Sequence, residues 1–259
     1  MYVKRGFSRK GQITLFVILG LILVGGVLLF FLFLRKPSIV QPEFSDPKQF
    51  IDSCAKESTE EAISLMLPQG GYLDPKNFKL DEDQHIAYLC YTSSYYVPCT
   101  NQEPLYLKHL EDEITNYIKP KIEGCFSQLK QDLEKRNYQV EEKDLNAGVS
   151  LETQRVKIQL KKYLKLTKNN QVQEFTDFSS SISSPLYDLG FVAQGIASQE
   201  AKVCDFEYVG YMILHKEFDI SKKAVGQAES ASKIYSITDR NSGKKLNIAI
   251  RSCAIPPGF

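Results

Sequence analysis

From Ile13 to Leu34 the chain reads ITLFVILGLILVGGVLLFFLFL, without one charged residue. About 22 residues at ~1.5 Å of rise give roughly 33 Å, enough to cross a hydrocarbon core about 30 Å thick. A core helix of a globular domain keeps a polar face, which this run lacks. A cleaved secretory signal has an apolar region of about 7–15 residues followed by a small-residue site. Here the run is longer and ends Phe31-Leu32-Phe33-Leu34-Arg35. The pattern predicts one transmembrane helix. Lys4, Arg5, Arg9 and Lys10 precede it, and Arg35 and Lys36 follow it. The basic excess puts the N-terminus in the cytoplasm. The expected division is a basic cytoplasmic leader (1–12), the span (13–34), a spacer holding Pro37 and Pro42 (35–45) and an extracellular domain (46–259). Gly20, Gly25 and Gly26 would let helices approach closely in the bilayer, although no two have GxxxG spacing.

The rest of the composition is that of a folded domain. Of 259 residues, 24% are charged and 43% hydrophobic, which excludes disorder, collagen and a disulfide miniprotein. A formal net charge of +1 gives no support to a nucleic-acid partner. A mean hydropathy of −0.25 excludes a multi-span transporter.

Six cysteines, Cys54, Cys90, Cys99, Cys125, Cys204 and Cys253, all fall after the apolar run. An even number outside the membrane points to disulfides. No two have CxxC spacing, which argues against a zinc ribbon or a thioredoxin-type motif. Several pairings are possible, and position favours three. Cys90–Cys99 would close a Tyr-rich loop, Cys54–Cys125 would tie two expected helices, and Cys204–Cys253 would tie a helix end to the last strand. Free buried thiols would require the opposite topology.

The expected fold class is α+β: a transmembrane helix, then a disulfide-stabilised domain of helices and antiparallel strands. Asp46 caps a first helix with Pro47 at its first position and Gln49 in a capping-box-like place. Ile51, Cys54, Ala55, Ala62, Leu65 and Met66 set its apolar period, and Pro68 with Gly70-Gly71 ends it. Residues 75–101 read as irregular. Pro104 opens a second helix, through Leu133, which Pro120 is expected to kink or split. The period then becomes two: Val156, Ile158 and Leu160 alternate with Lys157 and Lys161, and Asn169-Asn170 turns the chain. Ser184-Pro185 starts a third helix, running to Val203. Strands are expected over Phe206–Leu214, Ser232–Thr238 and Lys245–Cys253, the last two joined by a turn at Asn241-Ser242-Gly243.

The segment Lys10-Gly11-Gln12-Ile13-Thr14-Leu15-Phe16 resembles the start of archaeal type IV pilin-like proteins with class III signal peptides. The resemblance implies a peptidase cut between Gly11 and Gln12. At the fifth mature position, where that family commonly has Glu, this chain has Phe16. More widely, the anchor, Gln69-Gly70-Gly71-Tyr72 and Tyr235-Ser236-Ile237-Thr238-Asp239 resemble single-span surface proteins of DPANN-type archaea. That resemblance implies location and fold, and no particular activity. Gln69-Gly70-Gly71-Tyr72 also reads simply as a helix stop and turn.

No compact catalytic motif is present. His85, His109 and His215 lie far apart, without HExxH or a second His one turn away. Asp81-Glu82-Asp83 lacks the Gly and the final Glu of a calcium loop. No catalytic residue, metal ligand or cofactor is assigned. Tyr88, Tyr91, Tyr95 and Tyr96 form the candidate contact surface, since tyrosine combines a large apolar body with a polar tip. The competing reading packs these rings on the domain's own helices. The expected function is a membrane-anchored cell-surface protein in adhesion or assembly, in one form a pilin-like subunit. Its partners would be the lipid bilayer and copies of itself or other surface proteins. The alternatives are an anchored extracytoplasmic hydrolase and an accessory or receptor subunit of a membrane complex.

Overall fold

The computed structural model describes Gly20 and residues 22–26, 46–225 and 232–255. The chain divides into two compact units, Met1–Ser45 and Asp46–Phe259. In the first, Gly20 and residues 22–26 are helical. The rest of the expected span and the Gly11–Gln12 position lie outside the described residues. Among the described residues no helix is long and apolar enough to cross a membrane.

The second unit is α+β. Helix α1 (Pro47–Met66) starts where Asp46 accepts a hydrogen bond from the Lys48 amide at 2.9 Å. A 3-10 turn, Leu67–Gln69, follows it. Strands β1 (Phe78–Asp81), β2 (Gln84–Tyr91) and β3 (Thr100–Asn101) come next. Helix α2 (Tyr106–Lys135) leads to β4 (Gln139–Glu142), β5 (Asn146–Glu152), β6 (Arg155–Lys168), β7 (Gln171–Asp177) and β8 (Ser180–Ser183). Then come α3 (Leu186–Val203), α4 (Tyr208–Leu214), β9 (Phe218–Val225), β10 (Ser232–Asp239) and β11 (Lys245–Arg251).

Among the described residues the strands form two sheets. The first has the order β1-β2-β11-β10-β9, with β3 also paired to β2. Its β11 runs parallel to β2 and antiparallel to β10. Because β11 is central and covered on both faces, Leu246, Asn247, Ile248, Ala249 and Ile250 are buried in an unbroken run. The second sheet is built on the 14-residue strand β6. Along one side it pairs with β4 and β5, along the other with β7 and β8. Val156, Ile158, Leu160, Leu164 and Leu166 point inward from it, and Lys157, Lys161 and Lys165 point away.

Helix α2 buries Leu110, Ile114, Ile118, Ile122, Phe126, Leu129 and Leu133, one apolar stripe at helical spacing, and packs against α1, β4 and β5. Helix α3 touches α2 and both sheets. Disulfides join Cys54 to Cys125, Cys90 to Cys99 and Cys204 to Cys253. The first ties α1 to α2.

Four expectations are corrected. Residues 75–101 are not irregular: they hold β1, β2 and β3. The buried run Ile86–Cys90 belongs to a strand hydrogen-bonded on both sides, so it has no alternation to reveal it. Helix α2 is not split at Pro120: Tyr106–Lys135 is one element. Pro120 is exposed, so the carbonyl it leaves unpaired one turn back can meet water. Residues 208–214 form a helix, not a strand. Tyr208, Tyr211, Met212 and His215 are its more covered positions, a helical period, and the Glu207 side chain caps the Gly210 amide at 3.1 Å. Leu65, placed in the apolar period of α1, is exposed.

Candidate contact surface

The four tyrosines divide into two pairs. Tyr88 is buried, and its hydroxyl shares a hydrogen bond of 2.5 Å with the Ser232 hydroxyl across the first sheet. It belongs to a cluster with Ile86, Ile234 and Ala249. Burial pushes the Tyr88 phenol above its ordinary pKa. Tyr91 packs on the same cluster, its ring 5.0 Å from that of Tyr88. These two rings are structural. Tyr95 and Tyr96 point outward, 40% and 60% exposed, beside Val97 at 42%.

This outward segment is held by its backbone. Cys90–Cys99 closes it at its base, with a Cα separation of 5.4 Å. Pairing of β3 with β2 brings Tyr91 opposite Thr100 and fixes both ends of the loop. The Thr92 amide donates to the Arg251 carbonyl at 3.1 Å, and the Tyr96 amide to the Ala254 carbonyl at 2.9 Å. In return the Cys253 amide donates to the Val97 carbonyl at 2.8 Å. Arg251 donates to the Thr92 carbonyl, and its guanidinium lies 5.2 Å from the ring centre of Tyr95 and 5.9 Å from that of Tyr91. Tyr96 takes a φ of +60°, a left-handed conformation few large residues adopt, at the point where the chain turns. Ile255, 41% exposed, follows the residue that receives the Tyr96 amide.

The surface therefore consists of Tyr95, Tyr96, Val97 and Ile255, with Arg251 against the Tyr95 ring. Aromatic residues and arginine are the types enriched at protein interfaces. A loop already fixed by a disulfide, three main-chain bonds and the Arg251 side chain loses little freedom on binding. Sequence reading located the tyrosines and the bridge. It missed Arg251 and Ile255, because a β-strand end some 150 positions away gives no local sign that it will pair with the loop.

The same loop is connected to a buried ion pair. Glu200, near the end of α3, is wholly buried. It accepts from Lys233 at 2.7 and 2.9 Å and from the Tyr235 hydroxyl at 2.5 Å. Burial first, then the Glu200 carboxylate, holds the Tyr235 phenol far above its usual pKa. Lys233 also donates to the Cys204 carbonyl. The Ser252 hydroxyl donates to the Glu200 carbonyl at 2.9 Å and accepts from the Cys99 amide at 3.1 Å. Sequence reading did not find this group; two charged residues in separate elements carry no spacing signal.

The remaining polar clusters are committed to structure. His109 sits with Nε2 3.1 Å from the Gly71 carbonyl, its ring 4.0 Å from that of Tyr72. The acids near it accept backbone amides: Glu113 takes Leu73 at 2.8 Å and Glu111 takes Leu151 at 2.9 Å. The Tyr72 hydroxyl donates to Glu103 at 3.0 Å. Among the described residues no group of three His, Cys, Asp or Glu side chains is placed to hold a metal ion. His85 stacks on Phe78 at the solvent face.

Gly70 and Gly71 have φ of +75° and +82°. The Gly71 amide donates to the Met66 carbonyl at 2.9 Å, as a helix stop requires. A Cβ on Gly71 would lie 2.4 Å from the Tyr106 hydroxyl, which itself donates to Gly70 at 2.9 Å. This segment turns the chain under α2.

Comparison with family models, curated proteins and solved structures finds no match.

Proposed function

We propose that the chain is a membrane-anchored cell-surface protein whose outer domain makes protein–protein contacts in adhesion or assembly. The observation that carries this reading is the outward patch of Tyr95, Tyr96, Val97 and Ile255 on a loop closed by Cys90–Cys99. The three disulfides support an oxidising compartment. The uncharged run 13–34 and the basic residues before it support an anchor with a cytoplasmic N-terminus and an extracellular domain. Lys10-Gly11-Gln12 supports a pilin-like start, as in the surface proteins of DPANN-type archaea that it resembles, with processing between Gly11 and Gln12. The partners are the bilayer and copies of the chain or other surface proteins.

Two measurements test it. Protease added to intact cells should digest the region after Arg35; full protection in protease-accessible cells would overturn the location. A photoreactive phenylalanine placed at Tyr96 should give a discrete cross-linked product on cells, and the same residue at exposed Lys76 should not. Equal yields from the two positions would remove the contact role.

A further inference from the structure

Helix α3 buries one face, and Phe191, in its second turn, is 59% exposed. Phe191 does not stand alone: Tyr187, Val192 and Tyr211 line a groove with it, and grouped apolar surface is the informative case. The Phe191 ring stacks on Tyr187, centre to centre 6.5 Å with the planes 14° apart. Across from it, Tyr211 of α4 stacks on His215 at 4.2 Å and 20°. Both stacks line one groove of about 320 Å³.

The charge of that groove has one sign. Asp188, Glu217 and Asp239 line it, and no lysine or arginine does. Asp239 is buried and accepts from the Asn241 amide and the Ser242 hydroxyl. Asp188 and Glu217 are the available pair. Asp188 accepts twice from Gln154 through Oδ2, and Glu217 lies 3.4 Å from His215 Nδ1. Among the described residues neither has a lysine or arginine within 4.0 Å. Aromatic faces attract a cation by their quadrupole, and a carboxylate completes the site.

We propose that the groove between α3 and α4 binds an arginine or lysine side chain of an extended partner segment. The aliphatic stem lies along Phe191 and Tyr211, and the charged head is received by Asp188 and Glu217. The site shares no residue with the Tyr95–Tyr96 patch, so it stands or falls separately from the contact role given to that loop.

The chain has three histidines, so a histidine-labelled full-length protein in detergent gives a simple spectrum, with His215 assigned by His215→Gln. The probe is the blocked tripeptide acetyl-Gly-Arg-Gly-amide, compared with its citrulline counterpart, which keeps the shape and loses the charge. The arginine peptide should shift the His215 signal saturably and bind about tenfold tighter than the citrulline peptide. Phe191→Ser and Asp188→Asn should each weaken it severalfold. Asparagine can still accept from Gln154, and Phe191 is mostly exposed, so neither change should disturb the fold. An unmoved His215 signal, equal binding of the two peptides, or either variant binding like the parent would overturn the proposal.

Discussion

Glu200→Ala should be among the most damaging single changes in the domain. The substitution strands the Lys233 ammonium with the Cys204 carbonyl as its remaining acceptor, and leaves the buried Tyr235 hydroxyl without one. Removing one partner of a buried ion pair costs about 3–5 kcal/mol. The Lys233 side chain keeps 23% exposure and can reach water, which moves the charge contribution to the low end of that range. The orphaned hydroxyl adds about 1–3 kcal/mol. The sum is about 4–6 kcal/mol, which lowers Tm by roughly 10 °C or more in a domain of this size. Lys233→Met should cost a similar amount, since it leaves the Glu200 carboxylate buried and unpaired. The double change Glu200→Leu with Lys233→Met should lie within about 3 kcal/mol of the parent, because no buried charge remains and only the Tyr235 hydroxyl loses its acceptor. Denaturant titration of the full-length chain, followed by near-ultraviolet circular dichroism of its tyrosines, measures all four species. If Glu200→Ala costs under about 1 kcal/mol, or the double change costs as much as the two single losses together, the ion pair does not carry this part of the core.

Three further outcomes follow from the same structure. Removing Cys90–Cys99 (separation 9) should cost about 2.5 kcal/mol, and removing Cys54–Cys125 (separation 71) about 4, measured by melts of the paired serine variants. Gly71→Ala, at a φ of +82° with a Cβ directed into the Tyr106 hydroxyl, should cost at least about 2 kcal/mol, whereas Gly243→Ala, with φ +70° and open space around it, should cost about 1–2; equal losses would discount the Tyr106 contact. Burial holds the Tyr106 and Tyr235 phenols protonated in the folded chain, with Glu200 adding to the effect on Tyr235. Unfolded phenols lose their protons from about pH 10, so stability is intact below that value and falls as pH rises above it. Ultraviolet titration should then show phenols that ionise only as the chain unfolds.

Much of the second unit's organisation was legible in local signals. Asp46-Pro47 marked the start of α1, Gly70-Gly71 its end, and Asn169-Asn170, both with positive φ, the turn after β6. The alternation of Val156, Ile158 and Leu160 with lysines marked β6 because one face of that strand meets solvent. The pairing favoured for the cysteines is the pairing in the structure: Cys54 and Cys125 stood on two helices with readable apolar faces, and Cys90 and Cys99 were close in sequence. What escaped lacked a local period. Strand β2 is buried on both faces, and α4 is too short to repeat its period twice. Half of the tyrosine surface escaped for a related reason: which rings turn inward depends on Ser232 and Ala249, more than 140 positions away.

The parallel pairing of β11 with β2 has a consequence for how the chain is made. The middle strand of the first sheet is the last described strand to leave the ribosome. Until it arrives, β2 and β10 each present an unpaired row of amides and carbonyls, and such edges recruit other strands. Joining Tyr88 to Ala249 closes a loop of well over a hundred residues, the kind of non-local contact that slows folding. Cys54, Cys90, Cys99 and Cys125 are all synthesised before β11, whereas Cys253 comes just after it. Oxidation can therefore proceed in stages: the first two bridges stabilise the early helices and the loop, and the third locks the late strand in place. A chain stalled before that third bridge would be the form most prone to aggregate, and the form a chaperone or thiol isomerase would have most reason to hold.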